Sequence, residues 1–250
     1  MILVLKLFLT PFLIAAATLT GRRWGPGVSG WFIGFPLTSG PIALILALQQ
    51  GPEFAAQAAI GNLGGLASIC AFCLVYTALS HKRGWLPCAV LAGTAYFLST
   101  CIWNLFTLTL LPTLVVVLLV NVLTIRLTPQ QSITDNTIRV SRWDLPVRMI
   151  IAVTFVILLT TFASFLGPQL SGLITPFPVF GTVLAVFAHR QRSAGAAIHF
   201  LRGHMISLFG FAGFFWVVGG LLLSFGIAGT FILATLAAVA INGISLKIVR

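Results

Sequence analysis

From Trp85 to Ile125 the chain runs for forty-one residues without one charged side chain. As a single helix rising about 1.5 Å per residue it would reach about 60 Å, twice the roughly 30 Å hydrocarbon core of a bilayer. It therefore has to fold back on itself, and Trp103-Asn104 is the expected turn. The same ruler, about 20 apolar residues per crossing, marks spans over 2–20, 27–49, 54–79, 85–103, 106–126, 147–166, 170–188, 195–221 and 226–246. Composition agrees: 59% of the 250 residues are hydrophobic, 7% are charged and the mean hydropathy is +1.10. A water-soluble domain carries about 25% charged residues, so that class is excluded.

The formal charge of +11, from fourteen Lys and Arg against three acids, forms no basic run of the kind that binds nucleic acid. Its cations fall instead in alternate connections, apart from Lys6 toward the outer face and Arg202 within a span. Arg22 and Arg23 follow the first span, Lys82 and Arg83 the third, Arg126, Arg139, Arg142 and Arg148 the fifth, Arg190 and Arg192 the seventh, and Lys247 and Arg250 the ninth. The intervening connections near 50–53, 104, 167–169 and 222–226 hold neither Lys nor Arg. Because Lys and Arg are retained on the cytoplasmic side, the expected orientation is N-terminus out and C-terminus in. The N-terminus lacks the small-residue cleavage pattern of a secretory signal. Cys70, Cys73, Cys88 and Cys101 all sit in apolar segments, so no secreted disulfide framework is implied.

A second constraint is internal. Gly25-Pro26-x-x-Ser29-Gly30 recurs as Gly167-Pro168-x-x-Ser171-Gly172, and Phe35-Pro36 recurs as Phe177-Pro178, all at one ungapped offset of 142 residues. Lys6 pairs with Arg148, Gly61 with Gly203, Gly84 with Gly226 and Ala92 with Ala234 at the same offset. Each copy holds four spans, and the unpaired fifth inverts the second copy relative to the first. The expected architecture is an all-α polytopic membrane protein of nine transmembrane helices. Repeat one covers 1–108, a linker helix and cytoplasmic connection cover 109–142, and the inverted repeat two covers 143–250.

The stretch Ser171-Gly172-Leu173-Ile174-Thr175-Pro176-Phe177-Pro178, followed later by Phe200-Leu201-Arg202, resembles the small four-helix GlpM-type inner-membrane proteins. Those carry a similar AGLxxxFP segment and a later ALR segment. The likeness covers about one repeat, best over 148–246 and more weakly over 6–108. It implies a four-span unit able to work as an antiparallel pair, in the cytoplasmic membrane, and brings no established chemistry with it. Copy one departs from it by having Ile60 where copy two has Arg202.

Inverted repeats commonly place a substrate site near mid-membrane, on interrupted helices at the repeat interface. Proline removes a backbone donor and clashes with the preceding turn. Pro36 and Gly40-Pro41 in span two, and Pro176 and Pro178 in span seven, are thus expected to kink or break their helices, with Pro36 and Pro178 about 15 Å deep. Gly25, Pro26, Ser29, Gly30, Gly167, Pro168, Ser171 and Gly172 are the accompanying hinge candidates. Arg202, His204 and Asn62 bring polar groups to a similar depth, whereas His199 better suits snorkelling toward the cytoplasm. Glu53, Asp135 and Asp144, the only acids, fall in connections, so no carboxylate is expected beside Arg202. A guanidinium without a counter-ion needs carbonyls, water or an anion.

The resulting expectation is a transporter, or a flippase, binding an anionic substrate or lipid-linked anion among Pro36, Asn62, Pro178, Arg202 and His204. A passive anion channel of the same architecture, and a membrane enzyme or assembly factor contacting lipid phosphate, are the alternatives. No catalytic residue, metal or cofactor is expected. Implied partners are membrane lipids, through Arg139, Arg142 and Trp143, and a small anionic or lipid-linked substrate. A homodimer is compatible with this, and nucleic acid is not an expected partner.

Overall fold

The structure, a computed structural model, describes residues 2–37, 39–130, 144–163, 173 and 176–249. The hinge candidates Gly167, Pro168, Ser171 and Gly172 lie outside the described residues, as do Arg139, Arg142 and Trp143. Among the described residues the regular structure is all helical: α1 (Ile2–Trp24), α2 (Pro26–Ile33), α3 (Ser39–Gln49), α4 (Pro52–Leu79), α5 (Trp85–Asn104), α6 (Leu110–Leu127), α7 (Asp144–Ala163), α8 (Val179–Gln191) and α9 (Ala194–Val249). Among the described residues, four helices are long and apolar enough to cross a membrane: α4, α5, α6 and the stretch Ala194–Leu246 of α9. The long uncharged run does fold back, α5 ending at Asn104 and α6 starting at Leu110.

α9 is not one rod. At Gly226 the backbone takes φ 71° and ψ 173°, a positive-φ conformation that glycine adopts without a Cβ penalty. The arm after this break returns alongside the arm before it, so that Asn242 meets Gly210 and Ile241 meets Gly213. The Thr230 hydroxyl donates to the Leu221 carbonyl across the same bend. α4 and α5 make a similar fold-back about Gly84, which caps α5, and the Thr100 hydroxyl donates to Ser68 Oγ at 3.0 Å. Other helix limits also fall 142 residues apart, α4 and α9 starting at Pro52 and Ala194, α3 and α8 ending at Gln49 and Gln191.

α4 and the first arm of α9 form the interior, and α2 packs along α9. The closeness of that pair comes from residues without side chains. A Cβ on Gly30 would run into the Phe200 carbonyl, one on Gly203 into the Gly27 carbonyl, and one on Gly27 into the His199 ring. Small residues at such crossings let backbones approach and gain packing that lipid, itself apolar, does not compete away. By contrast α5, α6 and the second arm of α9 turn large apolar side chains outward, among them Leu98, Ile102, Leu119, Leu123, Ile232 and Leu236. So large an outward apolar surface fits a hydrocarbon surround.

Buried polar groups tie the layers together. Asn121 of α6, with no exposed surface, accepts from the Cys70 thiol of α4 and donates through Nδ2 to the Met205 carbonyl of α9 at 3.1 Å. Asn242 Nδ2 donates to Ser207 Oγ at 3.1 Å, and Trp31 Nε1 to Ser245 Oγ at 3.0 Å. Gly30→Ala is expected to lower the unfolding free energy by about 3 kcal/mol, because overpacking a backbone crossing has no side chain to yield. Gly93→Ala, where nothing lies within 4 Å of the new methyl, should be neutral or stabilising by up to about 1 kcal/mol. Thermal unfolding of both variants in one detergent checks the pair.

Candidate functional site

The chain between α2 and α3 leaves helical geometry at Phe35-Pro36, as the missing proline donor requires. The Leu37 amide donates to the Phe35 carbonyl at 2.7 Å and the Gly40 amide to the Pro36 carbonyl at 2.8 Å. At the start of α8 the same arrangement recurs, Val179 donating to Phe177 at 2.7 Å and Thr182 to Pro178 at 2.6 Å. Pro41 breaks nothing: it falls in the first turn of α3, where backbone amides lack intrahelical partners in any case. Expecting Gly40-Pro41 to interrupt the helix is thereby corrected, and Gly40 instead faces the Phe214 ring.

The two Phe-Pro turns face each other across a small cavity of about 40 Å³, lined by Gly34, Phe35, Ser39, Phe177, Pro178, Gly181 and His204 among others. Its walls are held by a reciprocal pair of contacts. Gly34 lies against Ser207 of α9, and Pro176 lies against Gly65 of α4; each pair is the other shifted by 142 residues, with the partners exchanged. His204 is 4% exposed; its ring nitrogens make no hydrogen bond of normal geometry, and the Gly30 backbone is the polar group beside them. Buried polar atoms are nearly always hydrogen-bonded, so a buried ring whose nitrogens make no such bond calls for an explanation. Such a cavity has room for a few waters or a small ligand group.

The remaining candidates are dispersed. Asn62 is 2% exposed, donates to the Ala58 carbonyl at 2.9 Å and leaves its Oδ1 without a partner, but it does not line this cavity. Pro36 lines a separate apolar groove of about 410 Å³ with Trp31, Phe35, Phe214, Ala238 and Val239. Positions equivalent to the last two are Tyr96 and Phe97, and on that side they fill the space. The Tyr96 ring meets Phe177 edge-on at 4.8 Å, the Phe97 ring stacks on it at 5.3 Å, and the Tyr96 hydroxyl donates to the Leu173 carbonyl at 2.7 Å. Gly25 (φ 92°) caps α2, Pro26 opens it, and Ser29 Oγ donates to the Ala17 carbonyl of α1 at 2.7 Å.

Arg202 is the principal departure from expectation. Its Nη1 donates to the Ile125 carbonyl at 2.9 Å, in the last turn of α6, and to the carbonyl of Thr128, the C-cap residue that follows. Helix C-termini expose unpaired carbonyls and the negative end of the macrodipole, so the guanidinium has backbone acceptors at that end of α6. It stands level with the end of α6 that also carries Arg126 and is only partly buried. A helix turns about 100° per residue, so Arg202 and His204 on one helix face different neighbours. Sequence reasoning passed over Asn121 and Thr18, whose signal, a polar group within an apolar run, is shared by many helix-packing residues, and read Arg148 only as a cation of the connection after span five.

Removing the guanidinium in Arg202→Gln should destabilise the fold by about 1.5–3 kcal/mol, the range for a bond to a charged donor. Faster amide exchange over residues 124–128 would accompany it, and unchanged exchange there would contradict the capping role. Comparison of the chain with protein-family models, with curated proteins and with solved structures returns no match.

Proposed function

We propose that the chain is a multi-pass transporter of the cytoplasmic membrane, built as 4+1+4 spans with the N-terminus outside. Its two four-helix repeats are inverted and alternate about the paired Phe-Pro turns. The observation that carries this reading is the reciprocal contact pair, Gly34 with Ser207 and Gly65 with Pro176, enclosing a buried histidine whose ring nitrogens make no hydrogen bond of normal geometry. Reciprocity of this kind, residue i on j and j on i, marks a two-fold relation between like surfaces. An odd number of crossings between two like halves makes such an axis lie in the membrane plane. The recurring turn hydrogen bonds and helix limits support the duplication, and the alternating basic connections support the orientation.

The substrate in this reading is a small anion, free or lipid-linked. Polar groups lining the cavity, the His204 ring and the Ser39 hydroxyl, can donate hydrogen bonds, and no acid is among the described residues that line it. Arg202 contributes only indirectly, by fixing the end of α6. A passive channel needs a continuous path, whereas α2 and α9 pack backbone against backbone at Gly30–Phe200 and Gly27–Gly203. That favours alternation over a standing pore.

In proteoliposomes the chain should show saturable counterflow of one of a panel of labelled small carboxylates and inorganic phosphate. His204→Leu should remove more than nine-tenths of that flux while keeping the melting temperature within a few degrees. Full flux in the variant would exclude His204 from the site. The orientation has its own check: in a variant without native cysteines, Gly51→Cys should react with an impermeant maleimide from outside, and His81→Cys only after permeabilisation.

A further inference from the structure

A second cavity, of about 60 Å³, lies at the basic end of the bundle, away from the Phe-Pro turns. Thr18 and Arg22 of α1, Ser29 of α2, Arg148 of α7, Gln191 of α8 and the following Arg192 line it. Three arginines thus come from three different parts of the chain to line one small space. Arg148 is pre-positioned. It is 9% exposed, its Nη2 donates to Gln191 Oε1 at 2.7 Å, and its guanidinium lies over the Phe187 ring at 4.4 Å. A cation fixed by a side-chain hydrogen bond and an aromatic face has little rotamer freedom left to lose on binding.

Thr18 supplies the independent observation. It is 5% exposed, lines the cavity and leaves its Oγ1 without a hydrogen-bond partner. The first turn of α2, whose N-cap Gly25 offers no side-chain cap, also borders the space through Pro26 and Ser29. Its dipole adds positive potential at that end. At about 10–15 Å³ per water-sized group, 60 Å³ holds about four oxygens. Donors converging from several directions match a tetrahedral oxyanion better than a flat carboxylate, and Arg suits phosphate in particular.

We infer that the Thr18–Arg22–Arg148–Arg192 cavity is a binding site for a phosphate group, either free or on a lipid headgroup. This site is separate from the cavity between the turns and does not require that the chain move anything.

Labelled inorganic phosphate is titrated onto the full chain in a neutral detergent, alongside Thr18→Val and Arg192→Gln, neither of which removes the buried Arg148. Saturable binding is expected, with competition by sulfate and none by chloride at equal ionic strength. Thr18→Val should weaken it several-fold and Arg192→Gln about tenfold. The source is read by repeating the titration in discs of phosphatidylcholine with and without phosphatidic acid. Displacement by phosphatidic acid identifies a headgroup site, and undiminished binding identifies a soluble phosphate; both support the inference. Absence of phosphate binding together with equal melting temperatures in the two disc compositions overturns it. So does binding in both variants as tight as in the parent chain.

Discussion

The approach of α2 to α9 through Gly27, Gly30 and Gly203 sets the positions of everything else described. In lipid, apolar side chains gain little by meeting one another, so helix association depends on how closely backbones can come. Here the crossing is tight enough that the carbonyls of Phe200 and Gly27 occupy the places where side chains would stand. It fixes the height at which Gly34, just before Phe35-Pro36, meets Ser207 and the His204 carbonyl. It also separates the two cavities: Ser29 in the first turn of α2 borders the arginine-lined one, Ile33 at its last residue borders the other, and the Phe200 region lies between.

Among the described residues, three arginines rest against backbone ends, an amide and aromatic faces. Arg202 rests on the carbonyls closing α6, Arg148 on Gln191 and Phe187, and Arg190 over the Trp85 ring at 5.9 Å. With only three acids in 250 residues, carboxylate partners cannot serve most of the cations. Helix C-termini offer the same sign of potential without burying a second ionised group, and so avoid the desolvation that a buried ion pair incurs.

What is legible in the sequence follows from local chemistry. The return at Asn104 is forced by length, and the break at Phe35-Pro36 by a missing amide. The fold-back after span eight is announced by Gly226, the counterpart of Gly84. Pro41 misleads because the same residue is disruptive inside a helix and harmless in a first turn, and the start of α3 at Ser39 depends on the bend before it. Arg202 misleads differently. Its position along the helix is countable, but its direction around the helix is not, and its acceptors lie 74 and 77 residues earlier in the chain. Asn121 likewise gains its meaning from Cys70 and Met205, which only folding brings to it.

The two Phe-Pro turns share their hydrogen bonds but not their surroundings. Phe177 is wedged by Tyr96 and Phe97, whereas Phe35 looks onto Ala238, Val239 and an open groove of about 410 Å³. Interdigitated aromatic rings resist displacement, and empty volume does not. Packing therefore holds the Phe177 turn from two sides and the Phe35 turn from fewer, so a displacement of equal size meets less resistance at the latter.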